Sequence, residues 1–254
     1  MSKKKFTTVK TPEEIKIMKK GGRILYKILH EIGANAHEGV TPKELDKMAH
    51  GLCQTYNVKP AFFGLYDFPG AFCSSINDMA VHGIPDDTPL KNQDIFTVDF
   101  GVELDGFMTD SAYSFIIGGK APKKTKKFLA TIEEALAEAI HICKDGVRVG
   151  DIGAVIEGIV EGKGGYGIVE DLGGHGIGTE VHEDPHIYNY GNFGTGEVLR
   201  EGMTIAIEPI ANMGSGDITT DDDGWGIRSA DGTLSGQFEH TIMIGRTKGE
   251  ILTK

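Results

Sequence analysis

Cysteine is scarce in this 254-residue chain: Cys53, Cys73 and Cys143 are odd in number and far apart. That pattern argues against a disulfide framework or a cysteine-built zinc site, and it fits a reducing compartment, so a cytoplasmic protein is expected. Long apolar runs are missing too. Nothing reaches the ~18 apolar residues needed to span a bilayer, and no membrane partner is expected. The opening, Met1 to Lys5, is basic but no apolar stretch follows it, so it does not read as a secretory signal. Positive charge is in deficit, with 26 Lys and Arg against 37 Asp and Glu and a formal net charge of -11, which disfavours a nucleic-acid binder. The lysines that do cluster, Lys123, Lys124, Lys126 and Lys127, read most simply as the solvated start of a helix; an RNA contact is the alternative.

Glycine, by contrast, is abundant at 36 residues, which suggests many tight turns or close backbone approaches. A faint internal repeat organises the chain. Leu90 to Asp99 reads against Leu199 to Glu208: each is a leucine, a base, polar turn residues and then an apolar run ending in a carboxylate. Upstream, Glu38 to Leu45 reads against Asp145 to Ile152 at nearly the same offset. A repeat of this length is a half-domain, so one domain built of two related halves, about 11–118 and 119–246, is expected. Each half opens with two helices. Pro12 to Ile32 is capped by Thr11, with Glu14 completing the cap, and a second helix starts near Thr41-Pro42 with Leu45, Met48, Ala49 and Leu52 on one stripe. Lys123 to Cys143 and a segment from Gly150 are their counterparts. Strands follow both pairs without alternating crossovers. The predicted class is α+β: a curved, mostly antiparallel sheet with helices on its outer face and the site where the halves meet.

The segment Ile95 to Ile117 reads as two strands around Asp105-Gly106, a strong hairpin signal. That turn sets Asp99 opposite Ala112, with Asp110 its diagonal neighbour on the same face. Two carboxylates on one face of an apolar hairpin are either solvated strand residues or share a proton or a cation. The second half ends its matching strand in Glu208, which Pro209 biases towards an extended conformation. Gly236 to Ile244 reads as one more strand and holds Glu239 in an apolar setting. Four converging anions suit two divalent cations.

Gly173-Gly-His-Gly-Ile-Gly178 could suggest a phosphate loop, but a dinucleotide fingerprint needs a helix next and Thr179 to Pro185 does not read as one. The glycines instead let the backbone approach closely and leave His175 free to coordinate. His182 and His82 are further candidate polar groups. Any one of these histidines taken alone is as well explained as a surface or satisfied core residue.

Together these residues resemble type I methionine aminopeptidases, of the pita-bread metallopeptidase family M24. The resemblance runs from Thr11-Pro-Glu-Glu14 to Ile251-Leu-Thr253 through Val81-His-Gly-Ile-Pro85, Asp99 with Asp110, Gly174 to Gly178, Ile207-Glu-Pro209, Asp223-Gly-Trp225 and Glu239-His-Thr-Ile242. It implies a pita-bread fold and two divalent metal ions (Co, Mn, Fe or Zn) held by Asp99, Asp110, His175, Glu208 and Glu239. It further implies Glu208 as proton acceptor, His82 and His182 as groups stabilising charge on the substrate, and an apolar methionine pocket of Phe62, Leu65, Phe68, Cys73 and Trp225. The implied substrates are the N-termini of nascent polypeptides, met by a monomer in transient contact with the ribosome. Tyr66 stands where the family has a histidine, and Glu180-Val-His-Glu183 is similar to the Xaa-Pro dipeptidases. A proline-directed relative and a non-enzymatic binding protein on the same scaffold are the alternatives.

Overall fold

The computed structural model describes residues 8–254, so the basic opening Met1 to Lys5 lies outside the described residues. The first two helices use one device. In α1, Pro12–Asn35, the Thr11 hydroxyl accepts from the Glu14 amide while the Glu14 carboxylate accepts from the Thr11 amide at 2.7 Å. In α2, Pro42–Tyr56, Thr41 and Glu44 repeat the arrangement, and left-handed Asn57 ends the helix. Each cap satisfies two amides that would otherwise lack a partner. The helix expected to end at Ile32 runs one turn further. Helix α3, Lys123–Ile142, starts after Pro122 without a side-chain cap, and α4, Val149–Glu157, continues into a π-helical turn, Gly158–Lys163.

All strand pairings among the described residues are antiparallel. Strands Ile95–Leu104 and Phe107–Ile116 form the expected hairpin, with Asp105 and Gly106 both at positive φ and Asp99 opposite Ala112. Cys73–Ile76 pairs on the other side of the first strand and sets Cys73 opposite Asp99. A five-stranded sheet runs in the order Gly249–Ile251, His240–Ile244, Thr204–Ile207, Gly173–Gly176, Glu183–Tyr188. Two three-stranded sheets complete the β structure. Helices α1 and α2 cover the hairpin sheet through Leu25, Ile28, Leu45, Phe96 and Phe100. Helices α3 and α4 cover the five-stranded sheet through Phe128, Ile132, Ile152, Ile205 and Ile242. The free edge of the strand Phe107–Ile116 meets residues 237–241 along a seam between the sheets.

The expected single strand from Gly236 to Ile244 is broken. Ser235–Gln237 pairs with Ile210–Asn212, whereas His240–Ile244 pairs with Thr204–Ile207. Both partners step from one sheet to the next at the same level, leaving Glu208-Pro209 opposite Phe238-Glu239 outside the ladders. Pro209 has no amide to donate, which makes the break cheap on its side.

Adjacent glycines in α1 are expected to respond with opposite sign. A Cβ at Gly22 would lie 2.1 Å from the Leu252 carbonyl oxygen, whereas one at Gly21 would make ordinary contact, 3.5 Å from Thr109 Oγ1. Gly22→Ala should destabilise by about 1–3 kcal/mol through overpacking, and Gly21→Ala should stabilise by about 0.5–1 kcal/mol through helix propensity. Urea unfolding of the two variants measures both; equal effects would refute the close packing of α1 on the C-terminal strand.

Candidate metal centre

Asp99 and Asp110 point from the hairpin to the face left bare by the helices, each placed by strand alternation. Glu208 and Glu239 reach the same space from the two strand breaks, where their backbones are free of ladder pairing. The Glu239 amide donates instead to the Ala112 carbonyl across the seam, at 2.8 Å. Hydroxyls lace the same seam. Thr241 Oγ1 accepts from the Asp110 amide at 2.9 Å and donates to its carbonyl at 2.8 Å, and Ser111 Oγ donates to the Glu239 carbonyl at 2.7 Å.

His175 enters from the strand Gly173–Gly176. A Cβ at Gly174 would lie 2.2 Å from the Ala206 carbonyl oxygen and one at Gly176 would lie 2.1 Å from that of Asp184, so the flanking glycines permit a backbone approach no other residue allows. His175 Nδ1 lies 3.0 Å from the Gly176 carbonyl, which can only accept, so Nδ1 carries the proton and Nε2 presents its lone pair. That Nε2 is 3.7 Å from Glu208 Oε1. Asp110, His175 and Glu239 each offer one ligand atom, all within 4.8 Å of one another.

Little in the protein compensates the charge. Gln237 Nε2 donates to Glu208 at 3.1 Å and lies 3.4 Å from Asp99 Oδ2, yet one oxygen each of Asp99, Asp110 and Glu239 is buried with no hydrogen-bond partner. Burial, the largest cause, pushes the Asp99 carboxyl up to about 7. Burial and then repulsion from Asp99 push Glu208 up to about 8. Asp110 and Glu239 are driven well above the carboxylate range by burial and by their acidic neighbours. Oxygen donors with one imidazole, buried and short of hydrogen-bond partners, fit a divalent cation and are costly without one.

A cavity of about 150 Å³ opens over these residues, and every sequence-predicted site residue lines it: Phe62, Leu65, Phe68, Cys73, His82, Asp99, Asp110, His175, His182, Glu208, Trp225 and Glu239. Its floor is acidic and its far wall apolar, with Phe68 and Trp225 edge to face at 5.0 Å. His82 sits at positive φ, and burial holds its pKa below the ordinary value. The His182 ring lies 4.5 Å from that of His175, and exposed Tyr66 stacks on its other side at 6.1 Å. Sequence reasoning missed Gln237. The signal was available: it stands two residues before Glu239, the spacing that shares a strand face.

The sequence matches the model of metallopeptidase family M24 over residues 16–246. It is 40% identical over 245 residues to a methionine aminopeptidase of Clostridium perfringens, covering 96% of this chain and 98% of that protein. It is 38% identical over 245 residues to methionine aminopeptidase 1 of Bacillus subtilis, with the same coverage. The structure superposes on the crystal structure of a methionine aminopeptidase from Thermotoga maritima with a TM-score of 0.95 at 38% identity, over 98% of this chain and 100% of that one. A prolidase from Pyrococcus furiosus superposes with a TM-score of 0.77 at 24% identity over 98% of this chain and 66% of that one, a likeness of fold.

Metal binding is expected to depend on pH with a definite sign. In chelator-treated protein, Asp99 and Glu208 titrate near 7 and 8 folded, but about 4 unfolded. The folded state therefore holds more protons between those values; the contribution of these two groups to stability is fully present below about pH 4 and is lost as pH rises through about 8. A cation replaces those protons, so the rise in Tm on adding Mn should grow from pH 5 to pH 8. A rise that is absent, or the same at both pH values, would refute a carboxylate-bound metal.

Proposed function

The chain belongs to the methionine aminopeptidases of metallopeptidase family M24, and from that premise we propose that it removes the initiator methionine from newly made polypeptides in the cytoplasm. The pita-bread fold expected from the sequence is the one present. The observation that carries the reading is one cavity with four buried acids and an imidazole at its floor and an apolar wall sized for a side chain.

We assign Asp99, Asp110, His175, Glu208 and Glu239 as the residues that would hold two divalent ions. Two such ions, when bound, supply an acidified water and a Lewis acid for the scissile carbonyl. Glu208 is the least buried of the four acids and stands between His175 and Gln237, placed to take up the water's proton. Gln237 holds its carboxylate in place. His82 is kept neutral by burial and can donate a hydrogen bond to the leaving nitrogen once attack on the carbonyl frees its lone pair. His182, at the cavity's edge, is assigned to the carbonyl oxygen, where charge develops in the transition state. Phe62, Leu65, Phe68, Cys73 and Trp225 would enclose the thioether side chain, which suits an aromatic wall. A second cavity of about 270 Å³ shares His82, His175, His182 and Glu208 and opens past Asp171 and His186, offering the rest of the substrate a way out. The first cavity ends in its apolar wall, so a chain enters by its terminus.

Turnover of Met-Ala-Ser and of an Xaa-Pro dipeptide, with and without Mn or Co, tests the assignment. Metal-dependent release of methionine from the first is expected. Cleavage only before proline would transfer the activity to the prolidase type, and no metal-dependent turnover would leave a binding protein. Asp110→Asn and His175→Ala should each abolish turnover and metal uptake while keeping the circular-dichroism spectrum, and retained activity in both would refute the ligand set. His182→Ala should lower kcat by about 10²–10³-fold with little change in KM.

A further inference from the structure

Behind the histidine edge of the cavity lies a buried ion pair that the proposed chemistry does not use. Lys10 Nζ donates to Glu183 Oε2 at 2.7 Å, with both side chains nearly excluded from solvent. Every oxygen of Glu183 is engaged. Oε2 also accepts from Thr8 Oγ1 at 2.8 Å, and Oε1 accepts from the Thr179 amide at 2.8 Å and, more weakly, from its hydroxyl and the Glu180 amide. Burial alone would push the Glu183 carboxyl up, but Lys10 and these donors more than offset it, so it stays ionised.

The geometry closes a loop. Residues 177–182 connect the strand carrying His175 to the strand Glu183–Tyr188 without ladder pairing of their own, and Glu183 folds back to bond the loop's amides. His182 is the last residue of that loop. Space around the pair is fully used: a Cβ at Gly178 would lie 2.4 Å from Lys10 Cε and 2.6 Å from Glu183 Oε1. Lys10 is itself anchored, its amide donating to the Gly202 carbonyl at 2.8 Å beside the bridge between Val9 and Met203. The strap 8–10 is thus tied to the second sheet by its backbone and to the histidine loop by one ammonium.

We propose that Lys10 and Glu183 are positioning residues that fix the His182 loop, so that the imidazole meets the developing oxyanion without a search. The inference rests on the role given to His182 above. An oxyanion donor acts only where it is held in place beforehand; backbone bonds to Thr204 and Met108 hold the start of the loop at Ile177 and Gly178, and the Glu183 carboxylate ties down Thr179 and Glu180 between them and His182. A buried charge pair is a costly way to stabilise a fold but an effective way to specify one loop geometry.

The test is a double-mutant cycle on the full chain loaded with Mn. Lys10→Met and Glu183→Gln are made together, because either alone strands a buried charge; the glutamine still accepts from Thr179 and can donate to Thr8 Oγ1. The pair of changes should lower kcat on Met-Ala-Ser by about 10-fold, leave KM within about twofold, and have no further effect in a His182→Ala background. Equal losses in both backgrounds, or no loss, would overturn the proposal. The His182 imidazole NMR signals give a readout independent of turnover. Recorded with diamagnetic Zn in place of paramagnetic Mn, they should be sharp in the parent and broadened or shifted towards a solvated histidine in the double variant; unchanged signals overturn the proposal even if the parent proves inactive. An inactive parent, or an active His182→Ala, counts instead against the role assigned to His182.

Discussion

Everything at the centre of this protein follows from crowding four carboxylates at the floor of one cavity, three of them buried and Glu208 nearly so. Desolvation raises each acid, and each ionised neighbour raises it further. Such a cluster is stable only with protons or cations among its members. Gln237 donates to Glu208 and the Ser111 amide to Asp110, yet three carboxylate oxygens are left without partners. That deficit marks a binding site, because a structural cluster would be expected to satisfy its own lone pairs.

The fold serves this crowding by separating two tasks. Helices α1 to α4 cover the outer faces and bury the apolar side chains, so the inner faces are free to carry polar groups. The edge of the hairpin cannot zip onto residues 237–241 as a continuous ladder, because that strand breaks at Glu239, opposite the break at Glu208. Hydroxyls of Ser111, Ser114 and Thr241 bridge the seam instead, two of them bonded to the backbone of Asp110 or Glu239. A hydroxyl can accept and donate at once, which lets one side chain replace a pair of ladder bonds where backbones diverge. The acids are thus fixed from behind by neutral groups, and their oxygens stay available.

What could be read from the sequence was local. Capping boxes at Thr11 and Thr41 act over three residues, and the Asp105-Gly106 turn dictates the whole register of its hairpin, so Asp99 and Asp110 fall into place from chain order alone. The break at Phe238-Glu239 was not legible. Gly236 to Ile244 is uniformly strand-forming, and only pairing with two different partners shows that it belongs to two sheets. The pair of Lys10 and Glu183 was hidden for a related reason: nothing local singles out a lysine and a glutamate brought together across the fold. Gln237 lay within reach of strand alternation but lacked the charge that drew attention to its neighbours.

On the proposed reading, chemistry and selectivity sit on different parts of this scaffold. The acids and His175 stand on paired strands and strand breaks, held by backbone bonds to Ala112, Asp110 and Gly176. The apolar wall comes mostly from loops: Phe62, Leu65 and Phe68 from a segment with Gly64, Tyr66 and Asp67 at positive φ, Val181 from the histidine loop, and Trp225 from a turn closed by Asp223, with Cys73 added from a strand. Loops tolerate substitution where strands do not, since fewer backbone partners depend on them. Tyr66 and Val181 alter the wall without touching the floor. On the proposed reading they tune which side chain is accepted while leaving the hydrolytic centre intact, and the strap from Thr8 to Lys10 joins the two, because it holds in place the loop that gives Val181 to the wall and His182 to the reaction.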